Sequence, residues 1–213
     1  MLNLNIATVK NAIYGTSGND NLTGNDTPMW VIENGQYLLE SADDAIYGYS
    51  GDDRLRGRGG DDDLFGSFGN DYLNGGNGDD NLDGGWGNDS LYGRTGNDDL
   101  IGSYGNDYLS GGVATSGQSG YDTMTGGAGA DTFALNGDYL GDGFAVITDF
   151  DSAEGDIIQL YLPDNYTLGT VNYGGTAAPD TVIFSGFDAV GIVLDQSNLS
   201  LASDFNIVAP PVL

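Results

Sequence analysis

Leucine recurs at every ninth position through the middle of this chain, in a stretch that otherwise consists mainly of glycine and polar residues. The run extends from Gly48 to Ser110, and its seven units carry Leu55, Leu64, Leu73, Leu82, Leu91, Leu100 and Leu109. A unit with one apolar residue cannot bury a core alone, whereas stacked units can. The pattern therefore predicts a solenoid built from nine-residue units.

The other positions of the unit are as regular as the leucine. Numbered 1 to 9, all seven units read G-x-x-G-[ND]-D-x-L-x, with glycine at positions 1 and 4 and aspartate at position 6. Glycine reaches positive φ at little cost, so positions 1 to 4 are expected to form a tight turn whose carbonyl groups converge. Positions 7 to 9 are expected to form a three-residue strand with the leucine facing inward, because side chains alternate across a strand.

Two units make one coil of 18 residues, which places the position-6 aspartates in two rows. The predicted rows are Asp44, Asp62, Asp80, Asp98 and Asp53, Asp71, Asp89, Asp107. Successive carboxylates in a row would lie about 4.8 Å apart and repel one another unless a cation lay between them. The chain has no cysteine and no histidine. Carboxylates with many backbone carbonyls suit a hard ion with six to eight oxygen ligands, which is calcium rather than magnesium.

Less regular units continue the pattern toward the N-terminus. Residues 15–23 form a good unit with Asp20 at position 6. Residues 39–47 retain Asp44 but have Ala42 where glycine belongs, which predicts a distorted turn. Between these units lies an apolar insert at residues 24–38, in which Asn34-Gly35 predicts a β-hairpin. This hairpin either covers the solenoid or contacts a partner, because a lone hairpin must bury its apolar side.

The pattern also continues after the regular run. A six-residue insertion at 111–116 is followed by two units with Asp122 and Asp131 at position 6. From residue 135 onward glycine becomes rarer and β-branched residues more frequent, which predicts several strands. We expect residues 1–134 to form the repeat domain and residues 135–213 to form a C-terminal β cap, because the open end of a solenoid exposes apolar residues and unpaired strands.

These units resemble the calcium-binding nonapeptides of the repeats-in-toxin, or hemolysin-type, proteins over about residues 11–134. The resemblance implies an all-β, right-handed parallel β-roll, in which position-6 carboxylates and position 1 to 4 carbonyls from turns one coil apart surround each ion. The implied carboxylate pairs are Asp44/Asp62, Asp53/Asp71, Asp62/Asp80, Asp71/Asp89, Asp80/Asp98, Asp89/Asp107, Asp98/Asp122 and Asp107/Asp131, or about eight Ca²⁺ sites. Asp20 is a further candidate ligand.

The same resemblance implies which backbone carbonyls would complete these sites. They belong to the turns Gly48-Tyr49-Ser50-Gly51, Gly57-Arg58-Gly59-Gly60, Gly66-Ser67-Phe68-Gly69, Gly75-Gly76-Asn77-Gly78, Gly84-Gly85-Trp86-Gly87, Gly93-Arg94-Thr95-Gly96 and Gly102-Ser103-Tyr104-Gly105.

The charge of the chain indicates that its folding depends on bound cations. The chain has 32 acidic and 5 basic residues, a net charge of −27 and a pI near 4.1. This charge disfavours nucleic acid and anionic membranes as partners, and no segment has the roughly 18 apolar residues of a membrane span. Low hydrophobicity and like charge predict a chain that is disordered without calcium and folds when it binds calcium.

The resemblance and the chain ends bear on location. Residues 1–10 lack a basic leader followed by an apolar core, so a Sec signal is not expected. Residues 203–208 are similar to the acidic-then-apolar C-terminal signal of type I secretion substrates, although an edge strand explains them equally well. We therefore expect an extracellular protein exported by a type I system.

Catalysis is not expected, because a chain without histidine or cysteine has no Ser-His-Asp triad, Cys-His pair or zinc-protease motif. The leading hypothesis is a calcium-binding β-roll with a structural or cell-surface role. The alternative is a calcium-dependent carbohydrate-binding module that resembles the accessory modules of alginate epimerases. Its support is a predicted ladder of three position-3 aromatics, Phe68, Trp86 and Tyr104, although packing between neighbouring turns explains the ladder as well. An ice-binding role would require repeated threonine at position 3, where only Thr95 occurs.

Overall fold

The computed structural model describes residues 9–24, 29–33, 36–112, 120–135, 143–161, 166–173, 179–185, 188–194, 196, 199–200 and 204–208. Within these ranges the protein is entirely β, with nineteen strands and no helix. It follows that no helix of the described chain could cross a membrane.

The strands follow the repeat closely from β5 onward. Their bounds are β1 Val9–Tyr14, β2 Asn21–Thr23, β3 Met29–Glu33, β4 Gln36–Ser50, β5 Arg54–Gly59, β6 Asp63–Phe68, β7 Tyr72–Asn77, β8 Asn81–Trp86, β9 Ser90–Thr95, β10 Asp99–Tyr104, β11 Tyr108–Gly112, β12 Tyr121–Ala128, β13 Thr132–Leu135, β14 Phe144–Ile147, β15 Ile157–Tyr161, β16 Tyr166–Val171, β17 Asp180–Ser185, β18 Asp188–Val193 and β19 Phe205–Val208.

Successive strands alternate between two sheets, as an 18-residue coil requires. The first sheet has the order β1-β4-β6-β8-β10-β12-β14-β18-β17-β16, with β3 paired to β4, and the second has the order β19-β15-β13-β11-β9-β7-β5-β2. Pairing is parallel throughout the repeats. The architecture is the parallel β-roll that the repeat predicts.

The position-8 residues form one continuous core between the sheets. In the first sheet Leu64, Leu82 and Leu100 lie in register on adjacent strands. All seven position-8 leucines are at most 1% exposed. The core continues through Met124 and Phe133, which occupy position 8 after the insertion at 111–116. The predicted bounds of the insertion begin too early, because Gly111 and Gly112 belong to β11 and Gly112 pairs with Arg94 in the regular register. The stacking register is intact before and after the insertion, and residues 113–119 lie outside the described ranges.

The strands are longer than the three residues that alternation alone suggests. Strands β5 to β10 have six residues each, which cover positions 7 to 9 and positions 1 to 3 of the next unit. The turns stack in register, so their backbone groups bond across coils as strand groups do. For example, the Gly51 N–H donates to the Phe68 carbonyl at 2.9 Å.

The two ends depart from the regular coil in different ways. The predicted hairpin appears as β3 antiparallel to the first part of β4, and the Asn34-Gly35 turn itself lies outside the described residues. Residues 39–42, where a turn at Ala42 would be distorted, continue β4 without a turn. After residue 135, β14 and β15 extend the two sheets in parallel, and the antiparallel β16, β17 and β18 close the first sheet.

Candidate metal centres

The position-6 aspartates are buried carboxylates joined into two ladders by the backbone. Asp44, Asp53, Asp62, Asp71, Asp80, Asp89, Asp98, Asp107, Asp122 and Asp131 are each at most 3% exposed. In each ladder the backbone N–H of one aspartate donates to Oδ1 of the aspartate one coil later. The Asp62 N–H reaches Asp80 at 2.8 Å and the Asp71 N–H reaches Asp89 at 2.7 Å.

The structure brings together all eight carboxylate pairs that the repeat register implies. The remaining distances from the backbone N–H to Oδ1 lie between 2.6 and 2.9 Å, including those of the two pairs that span the insertion. The turns of adjacent coils are thus held in one fixed register, with a carboxylate from each coil on the same side.

The second oxygen of these carboxylates is the unusual feature. Within the described part of the chain, no hydrogen-bond donor contacts Oδ2 of Asp53, Asp71, Asp80, Asp89, Asp98, Asp107 or Asp131, although each atom is buried. An ionised oxygen buried without a donor is strongly unfavourable. A cation is the group that would satisfy a whole row of such atoms.

The position-1 glycines explain where that cation would lie. A methyl group added at Gly66 would collide with Oδ2 of Asp71 and would lie 2.6 Å from the Gly84 carbonyl oxygen. The same two kinds of oxygen surround Gly57 and Gly102. Carboxylate Oδ2 and a position-1 carbonyl of the next coil therefore converge on a cradle that only glycine leaves open.

The donor set fits a hard cation and little else. No group of three acidic side chains converges on one point within the described residues, so two carboxylates and several backbone carbonyls would have to supply the ligands. All of these donors are oxygens, which Ca²⁺ accepts in numbers of six to eight. The position-3 carbonyls already accept an N–H from the preceding coil, as Trp86 does from Gly69, and retain a second lone pair.

Glycine at position 1 is thus required for a different reason than the turn geometry first suggests. Positive φ occurs at position 4, for example at Gly69 and Gly87, and at position 2. Position 2 adopts it even with non-glycine residues: Tyr49, Arg58, Ser67, Arg94 and Ser103. The position-1 glycines do not adopt it, and their missing side chain makes room for the oxygen cradle.

Burial raises the pKa of these carboxyl groups far above the usual range. The pKa rises to about 8 at Asp80 and Asp98 and to about 7 at Asp71 and Asp89. Loss of hydration is the largest cause, the donated backbone N–H lowers the pKa, and neighbouring carboxylates raise it again. The pKa values of Asp107 and Asp131 rise to about 6 for the same reasons. Ionising these groups is costly unless positive charge accompanies them.

The structure adds a pair at each end that the nine-residue period did not indicate. At the N-terminal end, the Asp20 N–H donates to Oδ1 of Asp53 at 2.7 Å across a separation of 33 residues. At the other end, the Asp131 N–H donates to Oδ1 of Asp156 at 2.9 Å. Asp156 is 6% exposed and directly precedes the strand that continues the second sheet.

Near the C-terminal pair, a side chain rather than the backbone accepts the hydrogen bonds of the last turn. Both carboxylate oxygens of Asp149 accept backbone N–H groups, from Gly126 at 2.9 Å and from Gly127 at 2.8 Å. In the regular coils the backbone of the next coil provides the acceptors for such groups. A side-chain carboxylate therefore takes over where the stacked turns end. The only sequence signal was the Asp-x-apolar sequence at Asp156-Ile157-Ile158, which repeats the second half of a unit.

A second ladder runs beside the first, at position 5. Here the side-chain oxygen accepts the N–H of the residue one coil later, which is the reverse direction. The Asp79 N–H donates to Asp61, and the Asn88 N–H donates to Asn70, at 2.9 and 2.7 Å. These side chains are exposed. Aspartate and asparagine serve equally, which accounts for [ND] in the repeat.

The three position-3 aromatics form the predicted ladder and are not covered. Trp86 stacks on Tyr104 with centroids 4.2 Å apart and on Phe68 with centroids 6.4 Å apart, at interplanar angles of 17° and 20°. Each of the three is more than half exposed. Because the rings stack on one another, each ring covers part of the face of its neighbour, and the ring edges are the parts most open to solvent.

A search of curated proteins finds no significant match. Among solved structures, the crystal structure of extracellular lipase LipA from Serratia marcescens is similar, with 16% sequence identity and a TM-score of 0.32. The match covers 97% of this chain and 41% of that chain, so this chain spans about two fifths of the length of that lipase.

The family comparison covers more than half of the chain. The profile of the RTX calcium-binding nonapeptide repeat matches residues 10–27, 40–73, 57–91, 65–100, 92–113 and 116–139. These ranges include the two aspartate ladders from Asp20 to Asp131. The chain belongs to the family of RTX calcium-binding nonapeptide repeat proteins.

Proposed function

We propose that this protein is a secreted, non-catalytic β-roll that folds as it binds about eight calcium ions and then has a structural or cell-surface role. The observation that carries the proposal is the row of buried Oδ2 atoms that have no donor within the described residues. At Asp53, Asp71 and Asp107 a position-1 carbonyl oxygen lies beside the same cradle. When its carboxyl groups are ionised, such a row is stable only with positive charge inside it. When bound, Ca²⁺ supplies that charge and links each coil to the next.

The chain's own residues set the conditions for this folding. From Asp53 to Asp131, Oδ1 of each position-6 aspartate accepts a backbone N–H, which fixes the carboxylate so that Oδ2 faces the cradle. The leucine core excludes water from the inner side of the cradle. Without the ion, ionised carboxylates about one coil apart oppose the stacking that the core favours. Binding and folding are therefore expected to be one event.

The same coupling supports export by a type I system. A chain that stays unfolded at low intracellular calcium can pass a channel and fold where calcium is abundant. The strand β19 lies within the segment that is similar to a secretion signal and pairs with β15 in parallel. A signal read while the chain is unfolded is compatible with an edge strand after folding.

Calcium titration of the full chain tests the proposal. In excess chelator, circular dichroism should show mostly coil, and millimolar calcium should produce a cooperative change to β structure. Equilibrium dialysis should count about eight ions, or up to ten if the Asp20/Asp53 and Asp131/Asp156 pairs also bind. A compact β fold in excess chelator at pH 8, where the carboxyl groups are largely ionised in the unfolded chain, would refute calcium-driven folding.

The carbohydrate-binding alternative is supported by the exposure of Phe68, Trp86 and Tyr104. Its difficulty is that Trp86 and Tyr104 offer much of their ring faces to each other. Replacing Trp86 with alanine and measuring polysaccharide pull-down separates the alternatives. Unchanged pull-down would remove the aromatic ladder as a sugar platform.

A further inference from the structure

All four arginines of this acidic chain lie on strands of the second sheet. Arg54 and Arg56 point outward from β5, and Arg58 lies one residue before the end of that strand. Arg94 lies on β9, where it pairs with Gly76 of β7. The outward positions of β5, β7 and β9 contain no acidic residue. We call the surface of Arg54, Arg56, Tyr72, Asn74, Tyr92 and Arg94 the arginine face.

The guanidinium groups on this face are held by neutral partners. The Arg54 guanidinium lies 4.5 Å from the Tyr72 ring centroid, and that of Arg94 lies 5.4 Å from the Tyr92 centroid. With the Asn74 amide oriented so that its oxygen faces Arg94, that oxygen accepts from Nε at 2.8 Å and from Nη2 at 3.1 Å. Arg56 donates to Asn21 at 3.1 Å. Each guanidinium has five N–H donors, so these contacts position the groups and leave donors for a ligand.

The first sheet shows that this arrangement is not a general property of the surface. Its outward positions carry Asp63, Asp83 and Asp99 and no arginine. The chain therefore has an acidic outer face and a basic one. At physiological ionic strength, fields are screened beyond about 8 Å, so a ligand on the arginine face experiences its positive charge despite the net charge of −27.

The shape of the face selects the kind of partner. All of the positive charge of the face lies on β5 and β9. On β11 and β13 the outward residues Ser110 and Ala134 are only 2% and 0% exposed, and the half-buried Tyr108 and Thr132 carry no charge. The charged part of the surface is therefore limited to β5, β7 and β9. Three strands about 4.8 Å apart, each about 20 Å long, present roughly 300 Å². A stable interface with a folded protein needs about 800 Å² from each partner. The face is too small for a folded partner and suits a linear chain.

We propose that the arginine face binds an acidic polysaccharide, a linear chain of sugars with carboxylate or sulfate groups. Arginine binds either anion in a bidentate manner, and Tyr72 and Tyr92 give apolar surface for the sugar rings between the charges. Nucleic acid is a poorer match, because its dense phosphates require many cationic contacts. The proposal rests on the calcium-folded roll, and it moves sugar binding from the aromatic ladder to the opposite sheet.

The test uses the full chain in millimolar calcium and physiological salt, with affinity measured by calorimetry. The probes are oligogalacturonate and chondroitin sulfate for the two anions, and neutral dextran as the uncharged control. The arginine variant carries Arg54→Gln, Arg56→Gln and Arg94→Gln. The matched control carries Asp63→Asn, Asp83→Asn and Asp99→Asn on the first sheet. Calcium binding by the probes themselves affects all variants alike and cancels in the comparison.

We expect at least one acidic probe to bind, the arginine variant to lose about tenfold or more in affinity, and the control to lose none. Equal binding by the arginine variant, equal binding of dextran, or no binding of either acidic probe would overturn the proposal. So would binding of phosphatidylserine vesicles, or self-association in sedimentation, that is lost in the arginine variant while the acidic probes do not bind.

Circular dichroism of the same samples separates this inference from the proposed function. A natural chain that stays unfolded in calcium contradicts the proposed function and leaves no face to bind sugars. A folded natural chain without sugar binding contradicts only the arginine face. If the triple variant does not fold in calcium, the single Arg54→Gln and Arg56→Gln variants decide the question, since neither side chain contributes to the core.

Discussion

Positions 5 and 6 of each unit are adjacent in sequence and do similar structural work, but their chemistry differs. Both accept a backbone N–H from a neighbouring coil through a side-chain oxygen. Position 5 is exposed and accepts either aspartate or asparagine. Position 6 is buried and is aspartate in every regular unit. A hydrogen-bond acceptor alone is therefore not what position 6 supplies.

The difference lies in the second side-chain atom. At position 5, Oδ2 of aspartate or the amide nitrogen of asparagine lies in or near solvent. Exchanging one residue for the other therefore changes the stability little. At position 6, Oδ2 is buried close to a backbone carbonyl oxygen. An asparagine would place its amide NH₂ group there, which cannot coordinate a cation. The hydrogen bond therefore sets the register of the coils, whereas the charge at position 6 makes stacking in that register depend on a cation.

The largest expected effect is that of pH, because it acts on all position-6 groups at once. The folded pKa values of about 6 to 8 exceed the unfolded value of 3.8. The folded state therefore holds more protons between about pH 4 and 8, and metal-free stability rises as pH falls through this window. In excess chelator, circular dichroism should show more β structure at pH 5 than at pH 8.

With limiting calcium the sign reverses, since protons compete with Ca²⁺ for the same oxygens. The calcium midpoint of folding should rise as pH falls from 8 to 5. High salt at pH 8 is the control for general charge repulsion, which it screens without protonating any group. Equal calcium midpoints at the two pH values would mean that the buried carboxyls do not bind the ion.

Next in size is the contrast between Asp80→Asn and Asp79→Asn. Asp80 is buried and would contact two ions, so its loss should destabilise the calcium-loaded roll by about 3 to 5 kcal/mol, as removal of one member of a buried ionic cluster does. The Asp79→Asn variant keeps an acceptor oxygen at position 5, where Asn70 and Asn88 already serve as acceptors, so it should lose little. Thermal unfolding in calcium measures both. Equal losses would show that the two ladders do the same work.

A smaller loss is expected from Gly66→Ala, which tests the cradle without changing any charge. The added methyl group would displace Oδ2 of Asp71 and the Gly84 carbonyl, with a cost of about 1 to 3 kcal/mol. The effect should include weaker calcium binding in equilibrium dialysis. Gly18→Ala is the control, because an added methyl group there contacts nothing within 4 Å. Undiminished calcium binding by the Gly66 variant would place the ion elsewhere.

The smallest effect should be a gain in stability at position 2. Ser67 has φ of 81°, a conformation that costs a non-glycine residue about 1 to 2 kcal/mol. Ser67→Gly removes that cost, and the greater freedom of glycine in the unfolded chain offsets part of the gain. We expect thermal unfolding in calcium to shift upward by a few degrees at most. A clear loss would show that the Ser67 side chain has a role of its own.

Within the regular run the sequence predicts the structure almost residue by residue. A period of nine with alternating turns leaves one register, in which Leu64 faces Leu82 and the Asp62 N–H meets Asp80. The eight carboxylate pairs follow from this register, including the two that cross the insertion. The aromatic ladder follows as well, because position 3 repeats every coil at Phe68, Trp86 and Tyr104.

Other features depend on contacts that no period encodes. The Asp20/Asp53 pair joins units separated by the insert at 24–38, so its spacing carries no signal. Asp156 follows a turn without the G-x-x-G pattern. Its place in the ladder is evident only from the hydrogen bond that its side chain accepts from the Asp131 N–H. The role of Gly66 depends on where the Asp71 side chain lies, which a motif does not specify. The grouping of the arginines on one face becomes clear only when β5 and β9 are assigned to the same sheet.

The alternation of the strands between two sheets has a consequence for how such a chain can change in length. Each coil of the regular run pairs with only the coils before and after it. Removing 18 residues, such as 66–83, would join equivalent points of the roll and shorten it by one coil. Removing nine would send every later strand to the opposite side, placing Arg94 among the aspartates of the first sheet. We therefore expect the roll to tolerate a gain or loss of two units, whereas a gain or loss of one unit would exchange the residues of its two outer faces.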